Sequence, residues 1–151
     1  MKNEQKQHIS WITQYMLNRY EENPYAQLLE IAPTKIDHGE VEMTMPVISA
    51  KNCNFSGVVH GGAVASLADI VMGAACIACG KSVTTLDLNI NYIKSGQPGS
   101  ILTGYGKVIH HGRQTMVVEA TICDEAGKVL AVARGTFFVL GVIEQPKWIE
   151  K

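Results

Sequence analysis

Residues Gly61–Cys79 read GGAVASLADIVMGAACIAC. This run is apolar on nearly every side and rich in alanine, which predicts a helix enclosed by protein on most of its faces. Ser66, Asp69 and Gly73 interrupt it. It also falls short of the roughly 20 apolar residues that span a bilayer. The reading is therefore a buried helix around which the rest of the chain must fold.

On the N-terminal side, Trp11, Ile12, Tyr15, Met16 and Tyr20 recur at helical spacing between Ser10 and Tyr20. That stripe reads as a packing face more readily than as part of a ligand pocket. Asn23-Pro24 looks like an N-cap followed by proline at the first helical position, opening a short helix through Leu29. Val41, Met43 and Met45 alternate with Glu42 and Thr44, as expected of a half-buried strand that Pro46 ends.

Beyond Gly80 the period becomes two. Leu86, Leu88, Ile90 and Tyr92 alternate with Asp87, Asn89 and Asn91, and further strands are expected near 101–109, 115–123 and 129–140. Turn residues separate them at 95–99, at His111-Gly112 and at 124–127. Consecutive strands with short connections predict an antiparallel meander of four. The fold class is α+β: a curved antiparallel sheet wrapped around a central buried helix. Residues 1–34 form a helical segment packed on a domain of residues 35–151.

The chain has 151 residues, room for one core. Its net charge of −1 offers no general attraction to nucleic acid or to an anionic membrane. The N-terminal residues 1–7 lack the apolar run of a secretory signal. Cys53, Cys76, Cys79 and Cys123 lie mostly in apolar contexts rather than in a secreted disulfide framework. A cytoplasmic protein is the expectation.

Residues 54–62, NFSGVVHGG, lead straight into the buried helix. A helix start carries unpaired N–H groups and partial positive charge, and Gly61 and Gly62 have no side chains to keep a ligand away. Such a start can hold an anion or a carbonyl becoming one. The same glycines could equally serve a tightly packed turn. Asp69 says more. A carboxylate in an apolar helix costs several kcal/mol to desolvate unless it is paired or faces a polar cavity. No lysine or arginine lies within four residues of it. It is either a cleft carboxylate or a structural one paired with a distant group such as Arg134. Eight residues, roughly 12 Å of helix, separate Gly61 from Asp69. One substrate carbonyl cannot touch both in a single chain, so a shared site needs two copies related by a two-fold axis.

Asn54-x-x-Gly57-x-x-His60-Gly61-Gly62, Leu67-Ala68-Asp69 and the strand Thr84–Tyr92 together resemble the phenylacetic-acid-degradation (PaaI-like) branch of hotdog-fold thioesterases. The resemblance covers roughly residues 35–141. It implies a hotdog dimer, usually paired into a tetramer, that hydrolyses acyl-CoA or aryl-acyl-CoA thioesters. By that likeness Asp69 is nucleophile or general base, the Gly61 N–H polarises the thioester carbonyl, and Asn54 and His60 position substrate, water or the helix start. Thr85 matches a hydroxyl that helps orient the water. Gly62, Ser66, Arg113 and Arg134 are candidates for binding substrate, the arginines because guanidinium suits CoA phosphates. The chemistry needs neither a metal nor an organic cofactor. Cys76-x-x-Cys79 and His110-His111 read as core thiols and turn residues rather than ligands. Two other functions stay open: a hydratase or dehydratase on the same fold, and a module that binds acyl-CoA without turnover.

Overall fold

A computed structural model describes residues 2–149. In chain order it contains helices α1 (Lys2–Glu21) and α2 (Pro24–Leu28), strands β1 (Ala32–Asp37) and β2 (Glu40–Pro46), a single turn of helix α3 (Ser49–Asn52), and the long helix α4 (Gly61–Ala78). Strands β3 (Lys81–Tyr92), β4 (Ile101–His111), β5 (Thr115–Cys123) and β6 (Val129–Val142) follow, then a short 3-10 turn at Lys147–Ile149.

Helix α4 holds the centre. Ten of its residues are buried, among them Leu67, Val71 and Met72, and it touches all six strands. A single sheet can do this only by curving around the helix. Full burial of a side chain such as Leu67 stabilises by about 1.5–3 kcal/mol, so the alanine-rich run serves as core; by length and composition alone it could also cross a membrane. Close approach is built into β4. A Cβ on Gly106 would sit 2.6 Å from the Val71 carbonyl oxygen, a distance that only glycine permits.

The N-terminal helices pack as their spacing predicted. Trp11, Ile12 and Met16 are buried in the common core with Ala26 and Leu29. Asn23 caps α2, its side chain accepting from the Ala26 N–H at 3.1 Å, with Pro24 at the first helical position.

Three features depart from expectation. The first is β1, which the sequence pattern missed: Ala32-Pro33-Thr34-Lys35-Ile36-Asp37 shows no apolar alternation because it is an edge strand paired only with β2. It also straddles the expected boundary between residues 34 and 35. The second is strand order, β1-β2-β4-β5-β6-β3. Only β4, β5 and β6 form a meander; β3 lies beside β6 at the far edge, not beside β4. Because α4 runs between β2 and β3 in the chain, those two strands end up on opposite flanks of the helix, and the meander fills the gap. The third is Leu86, expected among the inward residues. A bulge between Thr85 and Asp87 leaves it 57% exposed and resets the alternation, so that Thr85 and Leu88 pair with Phe137 and Gly135, inward-facing residues of β6.

Candidate active site

The approach to α4 is anchored by Asn52, the buried polar side chain among the described residues. Its Oδ1 accepts from the Ile48 N–H at 2.9 Å, its Nδ2 donates to the Pro46 carbonyl at 2.8 Å, and its own carbonyl accepts from the His60 N–H at 2.8 Å. One residue thus ties the end of β2, α3 and the helix start together, the first two through its side chain and the last through its carbonyl. Asn54 tightens the intervening loop. Its Oδ1 accepts from the backbone N–H groups of Ser56 (2.9 Å) and Val58 (3.3 Å), with Gly57 at φ +78° completing the turn.

His60 is the N-cap of α4. Its Nδ1 accepts from the Gly62 N–H at 2.8 Å, which in the neutral ring places the proton on Nε2. Gly62 is thereby occupied. The Gly61 N–H meets no acceptor among the described residues. On its other side Gly61 is held by Tyr92, whose hydroxyl donates to the Gly61 carbonyl at 2.8 Å. The Ser66 hydroxyl donates to the Gly62 carbonyl at 2.7 Å and lies 2.8 Å from the Tyr25 hydroxyl. It therefore braces the first two turns of α4 against α2.

Asp69 is half-buried, two turns further on, and its Oδ1 accepts from the Thr85 hydroxyl at 2.8 Å. The structural alternative, a pairing with Arg134, does not occur. Arg134 lies on β6 between buried Ala133 and Gly135, so it points away from α4, where it pairs with Glu119 on β5. Arg113 is exposed in the β4–β5 connection. Neither arginine joins Asp69 and Gly61 within the chain.

The two ends of the site lie on one line. Gly61 touches Tyr92 and Asp69 touches Thr85, so α4 runs antiparallel to β3 with roughly 12 Å of helix between the free amide and the carboxylate. Strand β3 is hydrogen-bonded on one side only, to β6. The line from Gly61 to Asp69 therefore runs beside a strand edge, twelve residues long, that has no partner strand among the described residues.

Cys76 and Cys79 sit near the end of α4, and His110 and His111 end strand β4 rather than forming a turn. Burial pushes the Cys76 thiol up to about 12, and all four cysteines are free. No group of three or more His, Cys, Asp or Glu side chains is placed to hold a metal among the described residues. Three contributors escaped the sequence reading. Tyr92 was read only as a strand residue, although its position on the inward alternation was a usable signal. Tyr25 gave none, since Ser66 lies 41 residues away, and Asn52 gave none because an asparagine in a polar stretch carries no sign of burial.

A curved sheet wrapped around one apolar helix, with a carboxylate on that helix and a glycine pair at its start, defines a hotdog thioesterase fold. A family model described as the thioesterase superfamily matches residues 56–131, and the chain belongs to that family of thioester-hydrolysing enzymes. The acyl-coenzyme A thioesterase PaaI of Escherichia coli (strain K12) is 31% identical over 134 residues, covering 89% of this chain and 94% of that protein. The solved structure of E. coli PaaI superimposes with a TM-score of 0.84 at 29% identity, covering 89% and 96% of the two chains. A hypothetical thioesterase of Streptococcus pneumoniae TIGR4, solved with coenzyme A, gives 0.75 at 32% identity over 78% and 92%. Variants of a Streptococcus pneumoniae TIGR4 hypothetical thioesterase are also solved, one with an aspartate and one with a threonine replaced by alanine, sixteen positions apart. The protein smu.793 of Streptococcus mutans UA159, solved bound to acetyl CoA, gives 0.73 at 34% identity over 76% and 91%.

Proposed function

We propose that this chain hydrolyses acyl-CoA thioesters to the free acid and CoA in a site that two copies complete. Asp69 of one copy and the Gly61 N–H of the other act on the same thioester carbonyl. The observation that carries this reading is the unpaired β3 edge, flanked at one end by Asp69 with Thr85 and at the other by Gly61 with Tyr92.

Two β3 strands meeting antiparallel about a two-fold axis near Asn89 would set Leu88 opposite Ile90 of the second copy. Past the Leu86 bulge, Thr85 would then come opposite the second copy's Tyr92. Each Asp69 is brought to the other copy's Gly61, and the isolated strand edge is covered. Support also comes from the streptococcal variants, whose aspartate-to-threonine interval of sixteen residues equals that between Asp69 and Thr85.

In this arrangement the Gly61 amide, aided by the positive end of α4, stabilises negative charge on the carbonyl oxygen. His60 and Asn54 hold the helix start in place, while Gly62 and Ser66 border the substrate. Asp69 attacks the carbonyl or activates a water that does, and Thr85 fixes its orientation. Of the two candidate arginines, Arg113 is the one left to meet CoA phosphates, since Arg134 is committed to Glu119. We place the enzyme in the cytoplasm as an oligomer, at least a dimer and by family likeness a tetramer.

The test is a panel of acyl-CoA substrates assayed for thiol release. Turnover with release of CoA supports hydrolysis; binding without release indicates a module that only carries acyl-CoA. Reversible addition of water with the thioester intact indicates a hydratase.

A further inference from the structure

A cavity of about 430 Å³ lies near the C-terminal end of α4, two turns past Asp69 and away from Gly61. Its apolar walls are Tyr15 and Met16 of α1, Ile77 of α4, Val83 of β3 and Ile143. Resting on the thioesterase reading above, we propose that this cavity receives the far end of the acyl group, and that Gly73 keeps the path to it open. The substrate class is then medium-chain acyl-CoA.

The path follows from the helix. Asp69, Gly73 and Ile77 stand four residues apart on one stripe of α4, and all three are half-buried on a helix whose other faces are mostly buried. Gly73 has no evident duty in packing the protomer. A Cβ there would meet only the Phe137 ring at 3.7 Å, an ordinary contact. Mid-helix glycine nonetheless weakens a helix relative to alanine. A residue that costs helix stability and that its own core does not require is well explained by the space it leaves beside the carboxylate.

Length and polarity set the ligand. Ile77 is roughly 12 Å from Asp69 along the helix, and Val83 is roughly 7 Å from Thr85 along the strand. An extended chain advances at most about 3.6 Å per three bonds, so roughly six to ten chain atoms cross this distance. Arg19, Tyr20, Glu22, Asn23 and Ser82 form the polar side of the cavity, and the Arg19 charge is answered by Glu22 at 3.3 Å. The walls thus suit an uncharged tail. The cavity's size falls within the range of about 300–1,000 Å³ typical of small-molecule sites.

The experiment compares kcat/KM for decanoyl-CoA and butyryl-CoA in the full-length enzyme and in Gly73→Ala, with the oligomeric state of both measured by light scattering. The wild type should favour decanoyl-CoA, and Gly73→Ala should lower the decanoyl-to-butyryl ratio about tenfold or more, the range expected when a methyl group obstructs an apolar pocket. Tyr15→Ala, which lengthens the cavity, should raise the ratio of tetradecanoyl-CoA to decanoyl-CoA. Unchanged ratios in both variants overturn the proposal. So does dissociation of Gly73→Ala, which would assign Gly73 to contact between copies. If butyryl-CoA is cleaved while the ratios stay fixed, only the acyl path fails; if no acyl-CoA is cleaved, the thioesterase reading falls with it.

Discussion

The Thr85 hydroxyl donates to Asp69 Oδ1 at 2.8 Å across the boundary between β3 and α4. The bond fixes one oxygen of the carboxylate. Since Leu86 is an extra residue in β3, the bulge beside Thr85 sets the face from which this hydroxyl meets the helix.

Asp69→Asn keeps size and shape but removes the base. Turnover should fall by about 10²–10⁴, with far-UV circular dichroism and thermal midpoint near those of the wild type. A folded Asp69→Asn with near-normal kcat would remove Asp69 from the chemistry.

Thr85→Val should cost less than loss of Asp69, because the carboxylate survives while its orientation loosens. Thr85→Ser retains the donor and should recover most of the rate. If Val and Ser behave alike in steady-state kinetics, the hydrogen bond does not serve catalysis.

Sharing of the site has its own test. Gly61 is the first residue of α4, where proline is tolerated, so Gly61→Pro removes the N–H with little cost to the helix. It should lose about 10²–10³ in kcat. Asp69→Asn and Gly61→Pro, each impaired alone, should regain activity when refolded together, since one site of each mixed dimer then has both groups intact. No recovery in verified mixed dimers would place both groups in one chain.

Asn52→Ala leaves the Ile48 N–H and the Pro46 carbonyl without their buried partner. A loss of about 1–3 kcal/mol in denaturant unfolding is expected. Activity should also fall, because α3, whose Asn52 carbonyl holds the His60 N–H, is no longer tied by the side chain to the end of β2.

Partial loss of solvent, reinforced by Lys81, His38 and His110, holds the imidazole of the largely exposed His111 below its ordinary value. The unfolded chain, with a value of about 6.5, therefore binds the proton first. Stability from this group is present above pH 6.5 and is lost as pH falls through the folded value. The thermal midpoint should drop on acidification from pH 7, and His111→Gln should flatten that slope.

Much of this molecule was legible because it is local. The apolar run gave α4 within one residue of its end, the Asn23-Pro24 pair marked α2, and the Val41-Met43-Met45 alternation marked the inward face of β2. Asp69 stood out as a carboxylate with no nearby cation. Illegible were β1, whose edge position needs no alternation, and the paired state of Arg134, whose partner Glu119 lies fifteen residues away on another strand.

Periodicity and capping belong to neighbouring residues, so the chain by itself determined helices α1, α2 and α4, every strand but β1, and the apolar face of each apart from Leu86. Strand order, the placement of β3 at an open edge, and the meeting of Asp69 with Thr85 and of Gly61 with Tyr92 were decided only by tertiary structure. Apolar burial is non-directional; it demands that α4 be covered without saying which strand covers which side. That choice is made when distant segments close around the helix together.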